Sequence, residues 1–345
     1  MADSHSSSSR NPALDGMRVV AMAGVVLIHL TAARMRVAPT LLTELVSTSG
    51  RFAVPMFMAV SGYLHVQSMS RSGSSGALLS RMRRLVPTYV VWSAVYLVDA
   101  AIRTPEVTWT AARVTRVVLL GGAGYHLWFL PALISLQLVA SLASTPARRR
   151  ALLALGVALG VVTVFGPARI AVGPFWTWLG MGASAVFDRT LVSMLLPYAL
   201  GMAVADMPVA PGRWHRFAAP ITLLAGLGIA AAIVWARHDG TSLWIVENRR
   251  MVQYFLTGLV AFVVTLAAVR DRRLFGVERL APLAPLSFGV YLIHPLLRRV
   301  VLDWLPATSL SSWQWIPLSA VLLLTLSGAA TWVLLRIPYV RRTLG

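Results

Sequence analysis

Apolar residues run in blocks of about 20, interrupted by short polar stretches rich in arginine, from Leu14 to Leu335. Such a block is long enough to cross a bilayer, because a helix rises about 1.5 Å per residue and the hydrocarbon core is about 30 Å thick. The pattern predicts ten membrane helices, over residues 14–34, 50–68, 86–103, 125–144, 151–166, 187–206, 218–236, 252–269, 283–302 and 315–336. The expected fold class is an all-α integral membrane protein, with about ten transmembrane helices in a single bundle and no soluble domain. Residues 1–13, with the serine run Ser6 to Ser9, read as a disordered cytoplasmic N-terminus. Residues 14–338 form the transmembrane domain and 339–345 a short cytoplasmic tail. The stretch 167–186 fits no single class, although Trp176 and Trp178 suit a membrane interface.

Composition supports this pattern. Of 345 residues, 57% are hydrophobic and 12% charged, against about 25% charged in a soluble domain. That argues against a water-soluble enzyme. The formal net charge is +19, and all 31 basic residues are arginine. They occur in clusters between apolar runs, as topology signals and contacts with anionic lipid headgroups do, so no nucleic-acid partner is expected. With the N-terminus inside, 17 arginines fall in inside segments and 13 in outside loops. That places both termini in the cytoplasm and the chain as a multi-pass protein of the inner or plasma membrane. Lysine is absent, which removes Schiff-base chemistry, and so is cysteine, which removes disulfides, thiolate metal sites and thiol nucleophiles. There is no HExxH, zinc pattern or phosphate-cradling glycine loop, and no metal is expected.

The chemistry must then come from polar groups inside apolar helices. Arg18 and His29 stand 11 residues apart, about three turns, so they share a face about 16 Å apart along the axis. Asp15 precedes Arg18 by one turn. Ionisable groups at that depth are costly and face a cavity or bundle interior, which makes His29 a candidate functional group. Arg18 admits two readings, a functional cation or a side chain snorkelling to the interface. Ser61 is a conceivable nucleophile, but a hydroxyl bonded back to its own helix is the favoured reading. His65 is a weaker second candidate. Arg81, Arg83 and Arg84 precede Pro87, and either topology signalling or a bidentate grip on phosphates accounts for them. Tyr125, His126 and Trp128 suit an interfacial belt. His294 lies well within the membrane, followed by the helix-breaking Pro295. His238, Asp239 and Glu247 read as solvated loop residues.

Five segments in this order carry a resemblance: LDGMRVVAMAGVVLIH, FMAVSGYL, RMRRLVP, YHLWFLPALI and LSFGVYLIHPLL. The chain resembles the membrane-bound acyltransferase-3 family, whose members are integral membrane O-acyltransferases that modify sugars and other acceptors. The resemblance covers essentially the whole ten-helix core. It implies that Arg18 and His29 form the family's Arg-x10-His motif, with the histidine as catalytic base. It likewise implies that Arg81 and Arg84 form its Arg-x-x-Arg motif and handle the acyl-CoA donor from the cytoplasmic side. His126, Trp128 and His294 match the pattern without an assigned role. The extra hydrolase-like domain of larger members has no counterpart in this sequence.

The function so implied is transfer of an acyl group, foremost acetyl, from cytoplasmic acyl-CoA to a hydroxyl of a sugar, glycan or metabolite at the cell envelope. The partners are acyl-CoA, the acceptor and membrane lipids. The alternative is an exporter of a polysaccharide precursor or other small polar solute, with the polar stripe of the first helix lining a path. A proton-coupled carrier relaying through His29 and His294 is a third reading.

Overall fold

The computed structural model describes residues 11–104, 108–165, 178, 191–207, 215–239, 249–271, 274 and 276–344. Among them there are helices and no strands. Four helical stretches are long and apolar enough to cross a membrane: Pro12–Val37, Leu41–Arg103, Val277–Trp304 and Ser312–Leu334. Shorter apolar helices cover Phe129–Ser141, Val192–Asp206, Pro220–Ala236 and Leu256–Arg270. Large apolar side chains point outward on many of these, including Ile102, Phe217, Leu224, Trp313 and Val321. An apolar exterior of this kind belongs against lipid, where it costs nothing, rather than against water.

Helix α1 (Pro12–Val37) starts two residues before its expected edge. Asn11 caps it, its side chain accepting from the amides of Ala13 and Leu14 while Pro12 occupies the first turn. The Asn11 amide group also donates to Ala268 O at 3.0 Å. Residues 11–13, expected to be disordered, are therefore anchored. Thr40 caps α2 (Leu41–Ser49), and a 3-10 turn, Gly50–Phe52, leads into α3.

Helix α3 (Ala53–Arg103) joins two of the expected helices end to end. It is two helices meeting at a kink at Gly73, whose φ of 70° lies in the left-handed region, so the pair read at 50–68 and 86–103 is present with that one residue between its members. The intervening serines stay helical: Ser70 and Ser72 hydroxyls donate to the carbonyls of Val66 and Ser68. Ser74 donates across to Ser141 O. Arg71 thus sits at the end of the first of these helices, and Arg81 and Arg84 lie near the start of the second. Before the break, Gly62 packs so closely on the next-but-three helix that an added Cβ would lie 2.1 Å from Tyr198 O, a small-residue approach typical of membrane bundles.

Helix α4 (Ala111–Leu120) was not expected. Thr110 caps it and Gly121 closes it, while the Tyr89 hydroxyl donates to Val117 O and accepts from Gly121 N. The next helix, α5 (Phe129–Ser141), begins four residues later than expected. Tyr125, His126 and Trp128 therefore occupy the turn before it, not its first turns. Then follow α6 (Pro146–Phe165), α7 (Leu191–Asp206), α8 (His215–His238) and α9 (Arg249–Arg270). A second 3-10 segment, Val277–Leu283, packs along α1 and precedes α10 (Ala284–Trp304), α11 (Ser312–Leu334) and α12 (Pro338–Leu344). The expected tail is thus mostly helical, and Leu344 is fully buried.

Two arginines counted as topology signals are structural. Arg34 is 4% exposed and spends its guanidinium on Ser312 Oγ, Ala307 O and Leu310 O, at 3.1, 2.5 and 2.8 Å. It ties the end of α1 to the α10–α11 loop. Arg149 makes a two-pronged ion pair with Asp206, at 2.7 and 2.5 Å, which joins the start of α6 to the end of α7. In both cases the planar fork of the side chain satisfies acceptors that a point charge would leave open.

Candidate active site

A cavity of about 810 Å³ lies between α1, α3, the turn before α5, and α10. Its α1 wall is a stripe of Arg18, Val25, His29, Ala32 and Arg36 at heptad spacing, with Ile28 beside His29. Eighteen residues separate the first from the last, about 27 Å of helix, which is nearly the thickness of the hydrocarbon core. The first half of α3 supplies a second stripe, from Val54 through Phe57, Ser61, Leu64 and Ser68 to Arg71. Beyond the Gly73 break the same helix contributes Ser80, Arg81, Arg84 and Leu85. The cavity thus gathers Arg18, His29, Ser61, Arg81, Arg84, His126 and Trp128 from four parts of the chain.

His294 does not line the cavity, but it backs the residue that does. Its ring stacks on His29 with centroids 5.3 Å apart and planes at 22°. Pro295 explains the orientation of His294. A proline at this point cannot donate to the carbonyl four residues earlier, which is Tyr291 O. His294 Nδ1 takes that acceptor at 2.8 Å and also lies 3.1 Å from Val290 O. Both partners are acceptors, so Nδ1 carries the proton. His126 sits 5.7 Å from His294, ring to ring, and completes a cluster of three histidines. Tyr96, Tyr125 and Tyr291 surround them: Tyr125 stands 4.7 Å from His29, and Tyr96 and Tyr291 stand 4.8 and 5.3 Å from His126. The Tyr291 hydroxyl donates to His126 O at 2.5 Å, fixing the turn that presents His126.

His65 does not line the cavity but sits behind Gln137, which does. Its Nδ1 lies 2.7 Å from Gln137 Oε1 and 2.9 Å from the Tyr198 hydroxyl, in a buried knot joining α3, α5 and α7. His238 and Asp239 lie at the end of α8, away from the cavity wall, and Glu247 lies outside the described residues.

A family model described as an acyltransferase domain matches residues 11–336, nearly the whole chain. The chain belongs to the acyltransferase-3 family. It is an acyltransferase of the membrane, and the cavity is its candidate active site. No curated protein and no solved structure matches it. Among the described residues, no group of three or more His, Cys, Asp or Glu is placed to hold a metal ion.

The electrostatics of this acyltransferase cavity are one-sided. Seven arginines line it, and among the described lining residues there is no aspartate or glutamate. Arg18 leans on Asp15 at 3.4 Å, just off the wall. Arg84 lies over the Phe288 ring, 5.7 Å from its centroid. Arg71, Arg36, Arg51 and Arg298 were not singled out in the sequence. A signal existed for two of them: Arg36 follows His29 by seven residues and Arg298 follows His294 by four, so each repeats its histidine's helical face.

Proposed function

We propose that the protein is an O-acyltransferase that moves an acyl group, foremost acetyl, from acyl-CoA to a hydroxyl of a sugar, glycan or metabolite acceptor. The observation that carries this reading is the shared cavity, with Arg18, Arg81 and Arg84 at one end and His29 about three turns along. Coenzyme A is polyanionic, and guanidinium groups bind phosphates bidentately. The arginine end holds the phosphates, faces the cytoplasm, and leaves the thioester to extend along the bundle toward His29. This arrangement accords with the ten-span topology and with both termini in the cytoplasm of a cell-envelope protein.

In the proposed reaction the acceptor oxygen attacks the thioester carbonyl carbon while His29 takes its proton. The tetrahedral oxyanion collapses, the C–S bond breaks, and the CoA sulfur leaves with the proton from His29. General-base assistance of this kind contributes about 10²–10⁴-fold. His294, its Nδ1–H committed to Tyr291 O, backs the His29 ring and limits its rotation. His126 and Trp128 shape the wall between the donor end and the opposite mouth.

The test is binding and turnover of radiolabelled acetyl-CoA by the purified protein in nanodiscs. His29→Ala keeps saturable binding and loses transfer by about 10²–10⁴-fold. Arg81→Ala/Arg84→Ala loses binding. Full turnover in His29→Ala removes that histidine from the mechanism. The exporter reading draws on the length of the same cavity, and movement of labelled solute in proteoliposomes without acyl-CoA would establish it instead.

A further inference from the structure

The cavity has a second basic mouth that the donor does not need. Arg36, Arg51 and Arg298 line it at the end of the α1 stripe opposite Arg18. They come from three separate elements: α1, the 3-10 turn before α3, and α10. No ion pair among the described residues neutralises any of the three. Arg298 is the innermost. Its Nε is buried without a hydrogen-bond partner among the described residues, its Nη1 lies 3.4 Å from His29 O, and its guanidinium stands 5.5 Å over the Tyr125 ring. Its neighbour Arg299 is different, because Asp99 takes it at 2.6 Å.

The buried, unpartnered Nε of Arg298 is costly unless an anion completes it, and the half-buried Arg51 and exposed Arg36 add charge at the same mouth. A carboxylate offers two oxygens and one charge. A phosphate monoester offers three oxygens and nearly two charges, a better match to three guanidinium groups. Resting on the O-acyltransferase reading above, we infer that Arg36, Arg51 and Arg298 bind a phosphate group on the acceptor, so that the acyl group is delivered to a phosphorylated hydroxyl compound. An anion on Arg298 stands one aromatic ring, Tyr125, away from His29. A sugar-sized body between phosphate and reacting hydroxyl spans that gap. The cavity then has a division of labour: CoA phosphates enter at Arg18, Arg81 and Arg84, the acceptor phosphate is held at the other mouth, and the thioester and hydroxyl meet at His29.

The experiment uses ³²P-pyrophosphate as probe, with the full-length protein in phosphatidylcholine nanodiscs. Arg81→Gln/Arg84→Gln removes the donor end and leaves one class of pyrophosphate binding. Adding Arg51→Gln/Arg298→Gln weakens that class about tenfold to a hundredfold, the worth of one charge-assisted hydrogen bond or more. Adding Arg51→Lys/Arg298→Lys instead restores part of it and shows that the fold survives. Glucose 6-phosphate displaces the probe and glucose does not. Phosphatidylglycerol in the nanodisc distinguishes the source: competition assigns the site to a lipid-borne phosphate, its absence to a soluble one. In the otherwise wild-type protein, Arg51→Gln/Arg298→Gln keeps acetyl-CoA binding. Loss of acetyl-CoA binding in that variant would overturn the proposal by making the second mouth part of the donor site. Undiminished pyrophosphate binding after all four substitutions would overturn it too. If no form binds acetyl-CoA while the Arg51/Arg298 effect on pyrophosphate persists, the O-acyltransferase reading with an acyl-CoA donor fails and the anion site stands.

Discussion

Replacing Arg34 by leucine separates a structural arginine from a topology signal. Its guanidinium serves Ser312 Oγ, Ala307 O and Leu310 O, and it lies 5.3 Å from the centroid of the Trp315 ring. Leucine keeps the apolar stem and abandons all three acceptors. Two of them are backbone carbonyls, and each polar group left unsatisfied costs about 1–3 kcal/mol. The loss is therefore about 2–6 kcal/mol, borne by the loop between α10 and α11. Arg36, two residues on, is the control: it is exposed, and its Nε bonds only Ala32 O of its own helix. A surface change of that kind costs within about 0.5 kcal/mol. Thermal unfolding in nanodiscs, followed by tryptophan fluorescence, compares Arg34→Leu with Arg36→Gln, and limited proteolysis reads the loop at residues 305–311. Arg34→Leu lowers the midpoint and opens the loop to cleavage, while Arg36→Gln does neither. Equal midpoints and equal cleavage would refute the structural role, and both arginines would revert to topology signals.

Gly62→Val pushes side-chain atoms into Tyr198 O, which already lies 2.1 Å from the position of an added Cβ; overpacking of this kind costs about 1–3 kcal/mol or more, and the thermal midpoint falls accordingly. Arg149→Met and Asp206→Leu each destabilise the α6–α7 junction, and a double-mutant cycle on the unfolding midpoints yields a coupling of about 1–3 kcal/mol, whereas strict additivity would deny the pair its role. Pro295→Ala returns an N–H to compete for Tyr291 O; the His294 ring loses its fixed orientation, and transfer slows while the Kd for acetyl-CoA holds, an outcome checked by single-turnover assay beside equilibrium binding.

Much of the site was legible because helical spacing is a local property. Arg18 and His29 fall on one face by arithmetic alone, and both line the cavity. Arg81 and Arg84 were equally visible as an arginine pair at the start of the third helix, which the structure begins earlier, just after Gly73. Glycine and serine around Gly73 read as a loop, yet serine hydroxyls bonded to their own helix sustain the helix on both sides of a single left-handed residue. The turn holding Tyr125 and His126 was read as helix, because aromatic residues beside an apolar run give no local sign of where the first turn begins. The roles of Arg34 and Arg149 were hidden for a different reason. Their partners lie some 270 and 57 positions away, and a charge cluster beside a membrane helix looks the same whether it meets lipid headgroups or a buried acceptor.

By itself, the order of residues determined the helical class, the membrane setting, the absence of cysteine and lysine chemistry, and the family. The first three follow from composition and short-range periodicity and the family from five motifs in order, all of which a chain carries whatever its packing. Tertiary structure alone decided that three histidines from α1, the turn before α5, and α10 form one cluster, and that seven arginines from α1, the 3-10 turn, α3 and α10 line one cavity. These groups are far apart in sequence and become neighbours only when helix faces bury against one another. Packing, not pattern, sets which charges meet a partner and which are left for a ligand.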